Sequence, residues 1–110
     1  PLVVRADYDE LRRALINLVT NARQAGATRV DLRACAENGL ARLDVVDNGA
    51  GIPPDLQERV FDPAFTTKAA GAGLGLKIVK RIVTDYGGHV ELDSAPGRGT
   101  RFTIRLTAVE

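Results

Sequence analysis

The chain has 110 residues, 45% of them apolar and 26% charged, with 15 lysines and arginines against 14 aspartates and glutamates. That suffices for one domain with a genuine core and a soluble-protein composition, and the near-zero net charge excludes the basic excess of a nucleic-acid binder. The single cysteine, Cys35, cannot form an internal disulfide, and no apolar run approaches the length of a membrane span.

In chain order, "LVVRA" is a short β-type run. "DYDE" then offers Asp7 as a helix N-cap with Glu10 three residues on. Leu11, Leu15, Leu18, Ala22 and Ala25 repeat at three- and four-residue spacing, which predicts an amphipathic helix stopping at Gly26. "TRVDLRACA" and "LARLDVVD" alternate as strands do, and Asn38-Gly39 between them is a hairpin signal. "NGAGIPPD" reads as a loop, Asp55 to Val60 as a short helix, and residues 61–72 as irregular. Leu74, Ile78, Val79, Ile82, Val83 and Tyr86 define a second long helix, ended by Gly87-Gly88. "HVELDS" and "TRFTIRLT" close the chain as two strands around the turn "APGRG". Each long helix must bury one face, so the expected architecture is a two-layer α/β sandwich, one domain over 1–110, with a mixed sheet of about five strands and helices on one face. The chain starts at Pro1 and contains no methionine, so it reads as a piece of a longer protein.

Three stretches invite chemistry. On the first helix Asn17, Asn21 and Gln24 fall along one stripe. Asparagine is a poor helix former, so two in mid-helix suggest either a solvated face or amide oxygens offered to Mg²⁺ beside a substrate phosphate. In "DVVDNGAGI" a strand delivers Asp47 ahead of Gly49 and Gly51. The alternatives there are a plain turn or a partial calcium loop, and the latter lacks its further carboxylates and terminal glutamate. An ionised carboxylate accepts hydrogen bonds only, so in a pocket it suits the adenine amino group and repels the guanine carbonyl. In "FTTKAAGAGLGLKIVK" Gly71, Gly73 and Gly75 precede a helix whose free N–H groups suit phosphate, with Lys68 upstream. Taken alone, that segment is also compatible with a flexible loop carrying a surface lysine. The spacing G-x-G-x-G matches neither the P-loop nor the dinucleotide fingerprint.

In this order the stretches resemble the ATP-binding catalytic domain of two-component sensor histidine kinases, of the Bergerat-fold (GHKL) superfamily shared with gyrase, the heat-shock-90 chaperones and the MutL repair proteins. "NLVTNARQA" is similar to the N box, "DNGAGI" to the first glycine box, "VFDPAF" to the F box, "GAGLGL" to the second glycine box, and "GRGT" with Thr100 to the last box. The resemblance covers essentially the whole chain, and "FTTK" with its short lid resembles the nitrogen-regulation branch. It implies a Bergerat α/β sandwich that binds ATP and Mg²⁺ between the two long helices. Asp47 would select adenine, with Ile52 and Leu76 walling the ring and Thr100 near it. Asn21, with Asn17, would hold the metal. Gln24, Thr66, Thr67, Lys68, Gly71, Ala72, Gly73, Leu74 and Gly75 would line the nucleotide with Gly49 and Gly51, and Lys68 would reach the terminal phosphate.

Hydrolysing members usually carry a glutamate four residues before the metal-binding asparagine. Here that position is Asn17, which has no basicity at neutral pH, so transfer to a protein is favoured over hydrolysis. The chain also has Gln24-Ala25 where many kinases have Lys-Tyr, and Lys77 where Ala or Ser is commoner; Lys77 is expected in solvent or against a neighbouring domain. His89 lacks the phosphoacceptor pattern and is expected to be structural. The implied partners are the phosphoacceptor and dimerisation domain of the parent kinase and, indirectly, a response regulator, with no nucleic acid and no membrane contact. The fragment is expected to be monomeric and cytoplasmic, and residues 62–72 to be poorly ordered without nucleotide. A GHKL-type ATPase and a nucleotide-binding pseudokinase scaffold remain as alternatives.

Overall fold

The computed structural model describes residues 3–4, 6–61 and 70–109, with the backbone alone at 3, 70–75 and 109. The elements follow as β1 (Val3–Val4), α1 (Tyr8–Gln24), β2 (Val30–Glu37), β3 (Leu40–Asp47), α2 (Pro54–Gln57), α3 (Ala70–Asp85), β4 (His89–Ala95) and β5 (Gly99–Val109). This is the order the sequence predicts.

Helix α1 starts where its cap chemistry says it should. Asp7 Oδ1 accepts from the Asp9 N–H at 2.8 Å and the Glu10 N–H at 3.2 Å. The Asp7 N–H itself donates to the Tyr86 hydroxyl at 2.8 Å, tying the start of α1 to the chain just beyond α3. The β2–β3 hairpin turns on Asn38 and Gly39, both at positive φ, and pairs Val30 with Asp47 through to Glu37 with Leu40.

Strand β5 is the centre of the sheet. It pairs β3 on one side; on the other it pairs β4 along its first half and β1 at its end. Every pairing among the described residues is antiparallel, which corrects the expected mixed sheet. The reason is topological. Two hairpins fix two antiparallel pairs, and the crossover through α2 and α3 then sets β4 parallel to β3 but with β5 inserted between them. The helical segment at 55–60 is also shorter than expected, closing at Gln57 and continuing as turns.

Helices α1 and α3 pack together over one face of the sheet. Ala14 and Leu18 of α1, Leu76, Val79, Ile82 and Val83 of α3, and Val45, Phe102, Ile104 and Leu106 of the sheet form the buried core. Burying a side chain such as Leu18 or Ile82 stabilises the fold by roughly 1.5–3 kcal/mol. The opposite sheet face is polar: Arg42 bonds Glu37 at 2.9 Å and Asp44 at 3.2 Å, and Arg105 bonds Glu37 at 2.8 Å and also pairs with Glu91. One sheet face is therefore covered by helices and the other by ions.

The start of α3 departs from expectation. The glycine run is predicted to turn into the helix, whereas Ala70 through Gly75 is already helical. Alanines 70 and 72 are strong helix formers and extend the turn built on the core-packed Leu76 and Val79. Of the expected lid at 62–72, residues 62–69 lie outside the described residues and 70–72 are helical.

Candidate functional site

Asp47 ends β3, and the sheet register places Thr100 of β5 opposite it and Ser94 of β4 opposite Thr100. Side chains directly across a ladder point the same way, so three oxygen-bearing side chains form one row across the ends of three strands. That row lies on the face covered by the helices, because Val45 and Phe102, two residues along each strand, are in the core. Asp47 and Thr100 are 6% and 5% exposed. Asp47 Oδ1 accepts from the Gly49 N–H at 2.8 Å. No cation pairs with the carboxylate among the described residues. The second oxygen is not among the buried side-chain atoms left without a hydrogen-bond partner, and as a carboxylate oxygen it offers a ligand lone pairs only.

The loop after Asp47 is held on three sides. The Ala50 N–H donates to the Ala25 carbonyl beyond α1 at 3.0 Å, and the Gly97 N–H donates to the Ala50 carbonyl at 2.8 Å. The Ile52 N–H donates to Ser94 Oγ at 2.8 Å. Gln57 Nε2 donates to the carbonyls of Ile52 and Ser94, both at 2.8 Å. Two glycines make this closeness possible. A Cβ at Gly51, φ +79°, would stand 2.0 Å from the Ala95 carbonyl oxygen, and one at Gly99, φ +85°, 2.0 Å from that of Asp47. Asn48 is turned away to clamp the chain before β2, its Oδ1 accepting from the Thr28 and Arg29 N–H groups.

On α1, Asn17 and Asn21 are half-buried and Gln24 exposed, on the stripe the spacing predicts. Asn17 Nδ2 is buried without a hydrogen-bond partner among the described residues. An orphaned amide donor suits a phosphate oxygen, and the same group's oxygen suits a hard cation, so the donor set fits a magnesium nucleotide. Leu76 is 3% exposed and belongs to the core, while Ile52 is partly buried against it. Phe61 of the "VFDPAF" run meets Phe102 edge to face with centroids 6.1 Å apart, and Lys80 Nζ lies 5.8 Å from the Phe61 centroid. Lys77 is exposed, as expected. Thr66, Thr67 and Lys68 lie outside the described residues; Gly71, Ala72, Gly73, Leu74 and Gly75 are backbone in the first turns of α3.

The structure thus brings Asp47, Thr100, Gly49, Gly51 and Ile52 together. Sequence reasoning missed Ser94 and Gln57. Only Ser94 left a signal: a hydroxyl two residues from Leu92 on an alternating strand faces inward and must find partners.

Residues 6–110 match the family described as histidine kinase-, DNA gyrase B-, and HSP90-like ATPase, and the chain belongs to that family. Within it, the chain is an ATP-binding catalytic module of the two-component sensor histidine kinase type. It is 44% identical over 105 residues to sensor histidine kinase ZraS of Escherichia coli O157:H7, covering 94% of this chain and 23% of that protein. It is 46% identical over 102 residues to the C4-dicarboxylate transport sensor protein DctB of Rhizobium meliloti, covering 87% of this chain and 16% of DctB. Among solved structures, mycobacterial sensor histidine kinase MprB superposes with a TM-score of 0.85 at 36% identity, covering 98% of this chain and 76% of that one. Full-length ShkA in complex with AMPPNP superposes at 0.83 with 37% identity, covering 96% of this chain and 23% of ShkA. The chain therefore spans about a quarter or less of the full-length sensor kinases it matches.

Proposed function

We propose that this chain binds ATP with Mg²⁺ and presents the γ-phosphoryl group to a histidine on a separate phosphoacceptor domain of the same kinase, from which a response regulator is served. The observation that carries the reading is the carboxylate of Asp47, buried at the end of β3 and without an ion-pair partner among the described residues. Its second oxygen accepts from the adenine amino group, and guanine would set a carbonyl against it. Ile52 walls the ring, with Leu76 beneath it in the core, and Thr100 stands beside Asp47. The first turns of α3, Gly71 to Gly75, bring bare backbone to the phosphates, joined by Thr66, Thr67 and Lys68, with Gln24 on the α1 side. Asn21 and Asn17 would hold Mg²⁺, which neutralises charge on the phosphates when bound. Asn17 offers no base for water, which favours delivery of the phosphoryl group to a protein nucleophile that this module only positions. No helix among the described residues is long and apolar enough to cross a membrane, and dependence on ATP suits a cytoplasmic module.

The test is a mixture of this chain with the separately made phosphoacceptor domain of its parent kinase and radiolabelled ATP. Acid-labile, base-stable label on the acceptor histidine, absent with Asp47→Ala, is expected. Phosphate release without label on the acceptor would instead mark an ATPase.

A further inference from the structure

We infer that Ser94 is a specificity-positioning residue: it fixes the hydroxyl of Thr100 as a pure acceptor, so that Thr100 and Asp47 together admit a purine 6-amino group and reject a 6-oxo group. The inference deepens the nucleotide reading above and rests on it.

Ser94 Oγ makes three close contacts: it accepts from the Ile52 N–H at 2.8 Å, meets the Gly99 carbonyl oxygen at 2.9 Å, and meets Thr100 Oγ1 at 2.9 Å. A serine hydroxyl has one hydrogen and two lone pairs. A carbonyl oxygen has no hydrogen to give, so the contact with Gly99 takes the serine proton. The amide of Ile52 takes one lone pair. The remaining lone pair can accept only from Thr100, whose single proton is thereby directed away from the site. One assignment satisfies all three contacts, and it saturates Ser94.

What Thr100 then shows a ligand is lone pairs. Beside it, Asp47 has one oxygen on the Gly49 N–H and the other without a hydrogen bond among the described residues, also as an acceptor. The two side chains are register partners on adjacent strands, close enough to face one small group. An exocyclic amine brings two hydrogens to two acceptors, whereas a carbonyl at the same place meets lone pairs only. Gln57 holds the frame: its Nε2 bonds the carbonyls of both Ile52 and Ser94, so the serine cannot drift from either neighbour. Without the serine hydroxyl, the Thr100 proton is free to turn toward the ligand and donate to an oxo group.

The experiment measures Kd for Mg-ATP and Mg-ITP, which differ at the purine 6-position and the N1 proton, with the 110-residue chain. The Kd(ITP)/Kd(ATP) ratio is expected to fall about tenfold in Ser94→Ala, the scale of one buried hydrogen bond gained or lost, and by less in Ser94→Cys, whose thiol is a weaker partner. Thr100→Val should lower the ratio as well, and adding Ser94→Ala to Thr100→Val should lower it no further, because the serine acts through the threonine. Ser94→Cys, compared with the parent by thermal melting, carries the test if Ser94→Ala does not fold. An unchanged ratio with both affinities reduced equally, or additive effects of the two substitutions, overturns the role of Ser94 while leaving the nucleotide site standing. Absence of any nucleotide binding by the unmodified chain overturns the site itself and this inference with it.

Discussion

At the scale of single residues, the site is a set of close approaches that tolerate no added atom. Gly99 carries the backbone past the Asp47 carbonyl in a left-handed conformation, and a methyl group there would sit 2.0 Å from that oxygen. Gly99→Ala is expected to cost about 2 kcal/mol or more, seen as a fall of roughly 10 °C in Tm, and to weaken nucleotide binding by displacing the end of β3. A melt within a degree or two of the parent would show that the strand ends can part without loss. The sequence marks Asp47 because carboxylate, glycine and strand end stand together in one short run. It does not mark Gln57, whose importance comes from two carbonyls, at 52 and 94, that only the folded chain brings within reach.

At the scale of elements, α1 combines three duties along one cylinder. Ala14, Leu18 and Ala22 face the core, Asn17 and Asn21 lie along another side, and Tyr8, Ile16 and Val19 are apolar yet exposed. The periodicity of the core face made this helix readable, and Asp7 made its start readable. Asp7→Ala is expected to lower stability by about 1 kcal/mol, measured by urea denaturation with an unchanged m-value. The beginning of α3 was not readable in the same way: glycines disfavour helix by about 1 kcal/mol each against alanine, so local propensity argued for a turn where continuity with the packed turns below prevailed. The sheet direction was hidden for a different reason, since hairpins are local in sequence but the insertion of β5 between β3 and β4 is not.

The outer face of the sheet gives a pH prediction. Hydrogen bonds from Arg105 and then Arg42 hold the Glu37 carboxyl below its ordinary value of 4.5. Burial pushes the Asp44 carboxyl up, but bonds from Thr103 and Arg42 outweigh it and leave that group lowered too. A carboxyl whose pKa is lower folded than unfolded binds fewer protons in the native state. Its contribution is complete above the unfolded value and is lost as pH falls through the folded one. The gap in Tm between the parent and Glu37→Gln should therefore be widest at neutral pH and close below about pH 4. A gap that stays constant down to pH 3 would mean the ion lattice does not distinguish the charged form.

At the scale of the whole molecule, the helices cover one face of the sheet, the ions cover the other, and Asp47, Thr100 and Ser94 gather at one end of the strands. His89 starts β4 at the opposite end of that strand from Ser94, exposed and on the polar face, since Val90 and Leu92 turn toward the core. The chain is therefore expected not to phosphorylate itself: incubation with radiolabelled ATP should leave His89 unlabelled, and label there would place the acceptor within this domain. The first glycine box and the last box were legible because their glycines serve backbone geometry directly, Gly51 and Gly99 both standing at positive φ. The hydroxyl relay through Ser94 was not, because it depends on three strands meeting in register.

Calorimetric titration of the 110-residue chain with Mg-ATP and Mg-GTP asks whether the buried carboxylate at the end of β3 receives the adenine of a magnesium nucleotide. Saturable one-to-one association with ATP is expected, with much weaker association with GTP and loss of the ATP signal in Asp47→Ala while its thermal unfolding transition is retained. No heat with ATP, or an unaltered isotherm in the folded alanine variant, would contradict it.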